Sequence, residues 1–235
     1  MGKRREFVND EIYHVILRGV EQRKIFLDDD DYYRGIFSLF EFNTTNLVTI
    51  RNRRKERERF KRLLQSRKGR LPDNPLLLKK NELVEVLAFC LMPNHIHLLL
   101  RQKTTGGISK FIQKCAAGYA TYFNQKHKRT GHLFQGKFHS VHIKDDKQLL
   151  TVFIYIHTNP LAIIFPSWKE KGIKNLRRAI KFIEGYKWSS YRDYLGKKNF
   201  PSVSVREFLT EVIGGKANCR KAVNNWLRSK CGQER

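Results

Sequence analysis

The chain has 235 residues, 40% of them hydrophobic, enough for one sizeable core but with no apolar run of transmembrane length. Forty-seven Lys and Arg against 22 Asp and Glu leave a formal charge of +25, which argues for a polyanionic partner, nucleic acid before any other. The opening "MGKRREF" has no apolar stretch behind it and does not read as a secretory signal, and Cys90, Cys115, Cys219 and Cys231 lack CxxC spacing; a cytoplasmic protein with neither zinc knuckle nor disulfide framework is expected.

In chain order, "EIYHVILRGV" (residues 11 to 20) reads as a strand ending at Gly19. The aspartate run of "DDDDYYRGIFSLFEFN" caps a helix whose apolar face carries Ile36, Phe37, Leu39 and Phe40. The character then changes over about 44–80: Arg51 to Arg70 holds eleven basic residues against two acidic ones. That pattern suits either a basic helix lying on a phosphate backbone or a solvated insertion. "LVEVLAFCLM" and "HIHLLL" give two strands broken near Pro93. Ile108, Phe111, Ile112, Cys115, Tyr119, Tyr122 and Phe123 recur at helical spacing. "GHLFQGKFHSVHI" reads as a strand interrupted at Gly136, and "DDKQLLTVFIYIHTNP" as a helix opened by aspartates and closed by Pro160. Beyond it, "YKWSSYRDYLG" and two short helical stretches, Val205 to Val212 and Cys219 to Leu227, complete an α+β pattern: an antiparallel sheet with helices packed on it.

Two places carry chemistry. His95 and His97, two apart on a strand, point to one face and could ligate a single divalent cation. A random chain with this histidine content yields about 0.3 such pairs, so the pair alone is unspecific. In "QLLTVFIYIHTNP", Gln148, Thr151, Tyr155 and Asn159 form a polar stripe, with Tyr155 and Asn159 one turn apart. A phenol can serve as a nucleophile and an amide oxygen as a metal ligand. An amphipathic boundary tyrosine and a helix-capping asparagine would look the same.

"MPNHIHLLL" followed some sixty residues later by "YIHTNPLA" resembles the HUH single-strand transposases, and among them the REP-associated tyrosine transposase branch. "YHVILRG" with "IFLDDDDY", "YFNQKHKRTGHLFQGKF" and "WSSY" agree in order, over residues 11 to 42 and 83 to 195. The resemblance implies a ferredoxin-like core with a central antiparallel sheet. It places Tyr155 as the catalytic tyrosine, with His95, His97 and Asn159 as ligands of Mg²⁺ or Mn²⁺. A catalytic domain over 1–200, carrying at about 44–80 a basic insertion that compact members lack, and a helical extension over 201–235 are expected, in a monomer or homodimer. The implied reaction nicks and rejoins single-stranded or hairpin DNA through a covalent 5′-phosphotyrosine.

For binding, "YFNQKHKRTGHLFQGKF" interleaves Tyr122, Phe123, Phe134 and Phe138 with Lys126, Lys128, Arg129 and Lys137, a pattern suited to stacking unpaired bases while cations follow the backbone. His14 and Arg18 on the first strand are further expected DNA contacts, and the expected setting is a bacterial nucleoid. A non-catalytic nucleic-acid-binding protein of the same fold and a hydrolytic metal nuclease are the alternative readings.

Overall fold

Strand β1 (Ile12–Arg18) alternates in the way a strand covered on both faces must. Its odd-numbered residues Tyr13, Val15 and Leu17 enter one apolar cluster, while Ile12 packs against a second on the opposite face. The computed structural model describes residues 6–49, Lys55, Glu58 and 81–231. Apart from Lys55 and Glu58, the stretch Arg51 to Arg70, and with it most of the basic insertion, lies outside the described residues.

Helix α1 (Asp29–Glu41) follows, its first turn capped by the Asp28 carboxylate, which accepts from the Asp31 amide at 3.0 Å. Strands β2 (Val84–Met92) and β3 (His95–Gln102) form a hairpin about Pro93 and Asn94. Helix α2 (Gly107–Lys126) and the short β4 (His139–Ile143) then complete a β-α-β-β-α-β unit. All pairings are antiparallel and the spatial order is β2-β3-β1-β4, which is the ferredoxin-like topology. A register shift between Val86 and Ala88 sets Cys90 opposite His97 and Met92 opposite His95.

Helices α1 and α2 cover one face, with Phe26, Leu39, Phe111 and Tyr119 in its core. They approach closely because Gly118 lies against Phe42: an added Cβ would stand 2.3 Å from that ring. The other face is covered by α3 (Asp146–Thr158) and by helices that follow it: α4 (Leu161–Ile164), α5 (Trp168–Lys171), α6 (Leu176–Gly185), α7 (Tyr191–Tyr194), α8 (Glu207–Ile213) and α9 (Lys216–Ser229). Phe153 of α3 shares that core with Ile183, Tyr194, Leu209 and Val223.

Two expectations shift. "GHLFQGKF" is not strand: only His139–Ile143 pairs regularly, while Phe134 makes an isolated bridge to Gly19 and the Gln135 amide donates to the Arg18 carbonyl at 2.8 Å. The segment thus runs past the end of β1 instead of along it. Pro160 does not turn the chain away either. Asn159 keeps helical angles (φ −52, ψ −37) and Pro160 opens α4, so the Asn159 side chain is held within a continuing helical path.

Candidate active site

The face of the sheet beneath α3 carries His14 and Arg18 from β1 and His95 and His97 from β3, all on the same parity because His97 stands opposite Ile16 and His95 opposite Arg18. His95 and His97 bring their Nε2 atoms to 2.9 Å from one another. The outer nitrogens are both engaged. His95 Nδ1 meets the Asn94 Oδ1 at 2.7 Å, and Asn94 is itself oriented by donating Nδ2–H to the Gln22 carbonyl at 3.3 Å. His97 Nδ1 meets His14 Nε2 at 3.0 Å.

These contacts select tautomers. An oxygen acceptor on Asn94 requires a proton on His95 Nδ1, which leaves a lone pair on Nε2. When His97 donates Nδ1–H to His14, its Nε2 is likewise a lone pair. The two lone pairs then face a common point. Two imidazole nitrogens each about 2.1 Å from a metal, at a right angle, would stand about 3 Å apart. The pair is therefore spaced as adjacent ligands of one cation.

Tyr155 and Asn159 arrive from α3, whose start is fixed by the Asp145 carboxylate accepting from the Gln148 amide at 2.7 Å. The Tyr155 ring lies 5.3 Å from the His97 ring and 5.9 Å from the His14 ring, nearly perpendicular to both. Asn159 is buried, its side chain lies near enough to His95 to oppose the fall in that imidazole's pKa, and its Nδ2 has no partner among the described residues. His157, on the opposite side of α3, is buried against Ser190, whose Oγ is 2.9 Å from its Nε2, and takes no part in the site.

Electrostatics keep the imidazoles neutral. Burial, then the neighbouring Arg18 cation, lowers His95 to about 4, with Asn159 opposing and Lys169 adding to the shift. Burial lowers His97 well below the ordinary value, and His95, His14, Arg18 and Lys169 push in the same direction. His14 falls to about 4 through burial and the charge of His139. A neutral imidazole is the form that ligates a metal. Two nitrogen lone pairs and an amide suit a divalent cation, so these residues fit one.

The remaining expected contacts separate. Lys128 and Lys137 are exposed. Lys126 instead binds Asp28 at 2.5 Å and Asp31 at 3.0 Å, and Arg129 donates to the Asn124 Oδ1 at 2.9 Å and to the His132 carbonyl at 2.8 Å. Phe123 is core, while Tyr122, Phe134 and Phe138 are half-buried against it. Asp28, Asp31 and His127 hold ligand-type atoms within 4.8 Å of one another, but the Lys126 ammonium already supplies the positive charge there. Reading by residue type alone overlooks Asn94, Lys169 and the part His14 plays behind His97. The parity of His14 with Arg18 on β1 was the one available sign.

Residues 54–159 match the family model described as "Transposase IS200 like". Among solved structures, a REP-associated tyrosine transposase bound to a REP hairpin is 13% identical, covering 88% of this chain and 92% of its own, with a TM-score of 0.49. A protein from Deinococcus radiodurans R1, solved as a candidate transposase, is 15% identical over 66% of this chain and 95% of its own, with a TM-score of 0.33. No curated protein sequence matches. The matched residues 54–159, which contain both the imidazole pair and the tyrosine helix, are similar to the IS200-like transposases.

Proposed function

We propose that the protein is a metal-dependent transposase of single-stranded DNA, of the REP-associated kind that its motifs resemble, acting at hairpin-forming sequences. The observation that carries this reading is the 2.9 Å approach of the two imidazole Nε2 atoms beside the Tyr155 ring. His95, His97 and Asn159 would hold Mg²⁺ or Mn²⁺, with imidazole favouring Mn²⁺. When bound, the cation would supply charge withdrawal from the scissile phosphate and fix its orientation.

The chain's own groups do the rest. Asn94 and His14 hold the two imidazoles in their ligating tautomers. The continuous helical path through Asn159 and Pro160 holds the Tyr155 phenol and the amide to one side of the sheet. The Tyr155 oxygen attacks phosphorus in line, forming a P–O bond as the bond to the 3′ oxygen breaks. The phenolic proton passes to solvent, and the departing 3′ oxygen gains one. The product is a 5′-phosphotyrosyl link and a free 3′-OH. Because one phosphoester replaces another, a 3′-OH can reverse the step and join strands with no nucleotide cofactor. Tyr155 and both histidines come together within one chain, so a single copy can carry a whole site.

Incubation with labelled hairpin oligonucleotides and Mn²⁺ should give a protein–DNA adduct stable on a denaturing gel. Tyr155→Phe should bind the hairpin and form no adduct, and chelator should abolish it in the unaltered protein. An adduct of undiminished yield from Tyr155→Phe would remove Tyr155 from the chemistry. Free 5′-phosphate ends with no adduct would favour a hydrolytic nuclease.

A further inference from the structure

The ligand set carries no charge of its own. His95, His97 and Asn159 are neutral, and among the described residues no carboxylate figures among the charges that reach either imidazole. The side-chain cations that reach both are Arg18 and Lys169. Arg18 ends β1 directly opposite His95 in the ladder and is exposed. Lys169, on α5, is exposed and sets its Nζ 5.5 Å from the centre of the Tyr155 ring. Within the described residues neither forms an ion pair with a carboxylate.

A divalent ion entering alone would add two further positive charges near two existing ones, with only neutral donors to receive it. Coulomb repulsion over such distances opposes that step. Metal sites in proteins ordinarily offset it with carboxylates. Here the missing negative charge has one ready source: the phosphates of a nucleic-acid strand, each of which brings a full charge to the cations and to the metal alike.

We propose that Arg18 and Lys169 are a phosphodiester-binding pair flanking the imidazoles, so that the site takes up its divalent cation together with the DNA strand and not ahead of it. This rests on the function proposed above. The two cations serve the strand in the bound state and repel the ion in its absence. By linkage, the ion and the strand each tighten the binding of the other by the same factor.

Mn²⁺ affinity measured by electron paramagnetic resonance tests this without turnover. The protein carries Tyr155→Phe to prevent cleavage, and the probe strand is a hairpin oligodeoxynucleotide with a single-stranded flank. Mn²⁺ held by the DNA itself is subtracted with a variant that also carries His95→Ala and His97→Ala. The strand should tighten imidazole-dependent Mn²⁺ binding about tenfold or more. Adding Lys169→Met or Arg18→Gln should strengthen Mn²⁺ binding by the free protein and cut the DNA-dependent tightening to less than about threefold, while Lys169→Arg keeps it. Equal Mn²⁺ affinity with and without the strand would overturn the proposal, as would a tightening undiminished in both variants. Absence of imidazole-dependent Mn²⁺ in either state would instead overturn the metal assignment beneath it.

Discussion

His14 shows what one residue contributes from behind a candidate ligand. As a basic group on the first strand it reads as a DNA contact. The structure buries it and sets its Nε2 3.0 Å from His97 Nδ1. Such a partner fixes the orientation of a ligand, and its removal typically costs 10–100-fold in metal affinity. His14→Ala should weaken Mn²⁺ binding within about that range, and His14→Gln, which keeps a polar atom near Nδ1, should recover part of it; an unchanged affinity for His14→Ala would separate the two rings functionally. His157 gives a different residue-scale prediction. Burial lowers it to about 3, against a bond to the Phe153 backbone. Between its unfolded value of about 6.5 and that native value, the unfolded chain binds a proton that the native chain does not. The stability it contributes is therefore complete above about pH 6.5 and declines as pH falls toward 3, at up to about 1.4 kcal/mol per pH unit. His14 and His95, both near 4, add to the upper part of that fall. Urea unfolding at pH 7, 6 and 5 should show it, and a flat profile would argue against buried neutral rings.

Elements set how precisely those residues meet. β1 and β3 hold the imidazoles from two adjacent strands, and α3 lays the phenol over them on the same face. Much of this is legible in sequence, because period-two alternation in "HIHLLL" fixes which residues share a face and helical spacing fixes which α3 residues do. What the spacing leaves open is the end of α3. A proline usually closes a helix, yet Asn159 and Pro160 keep helical angles, which holds Asn159 buried against His95. The segment before β4 is misread for a related reason: its apolar residues suit a strand, but its amides and carbonyls meet the end of β1 at single points. The aspartates that cap α1 do more than cap. Asp31 is fully buried and takes bonds from Lys126, His127 and the Leu27 amide, tying α1 to the end of α2. Asp31→Ala should cost about 2–3 kcal/mol in chemical denaturation, since it leaves His127 and the Leu27 amide without their acceptor and Lys126 with Asp28. A cost below about 0.5 kcal/mol would mean that solvent replaces that acceptor.

At the scale of the whole molecule, the charge of +25 calls for a polyanion but says nothing of which cations would meet it. Lys126 and Arg129 are spent on internal partners, whereas Lys128 and Lys137 are exposed to solvent. That division predicts a salt signature. Removing one phosphate-binding cation should lower the slope of log affinity against log salt by roughly 0.7 for a single strand. Lys128→Gln and Lys137→Gln should each do so, and Arg129→Gln should leave the slope almost unchanged. An equal effect from all three would mean that the arrangement seen without DNA does not persist with it. The fold itself was open to sequence at this scale, since strands and helices alternate in the order of a β-α-β-β-α-β unit. The six helices after Thr158 were only partly so: α6 lies in a lysine- and arginine-rich run, and just Ala179 and Ile183 are fully buried.

In the proposed reaction one cation, two imidazoles and one phenol work on the same phosphate. Peptide mapping by mass spectrometry of the adduct formed with a hairpin oligonucleotide and Mn²⁺ tests it most directly. The nucleotide-bearing peptide should be the one containing Tyr155, linked through a 5′-phosphate, and His95→Ala should yield none of it. Nucleotide found on any other side chain, or on Tyr155 in equal yield without His95, would contradict it.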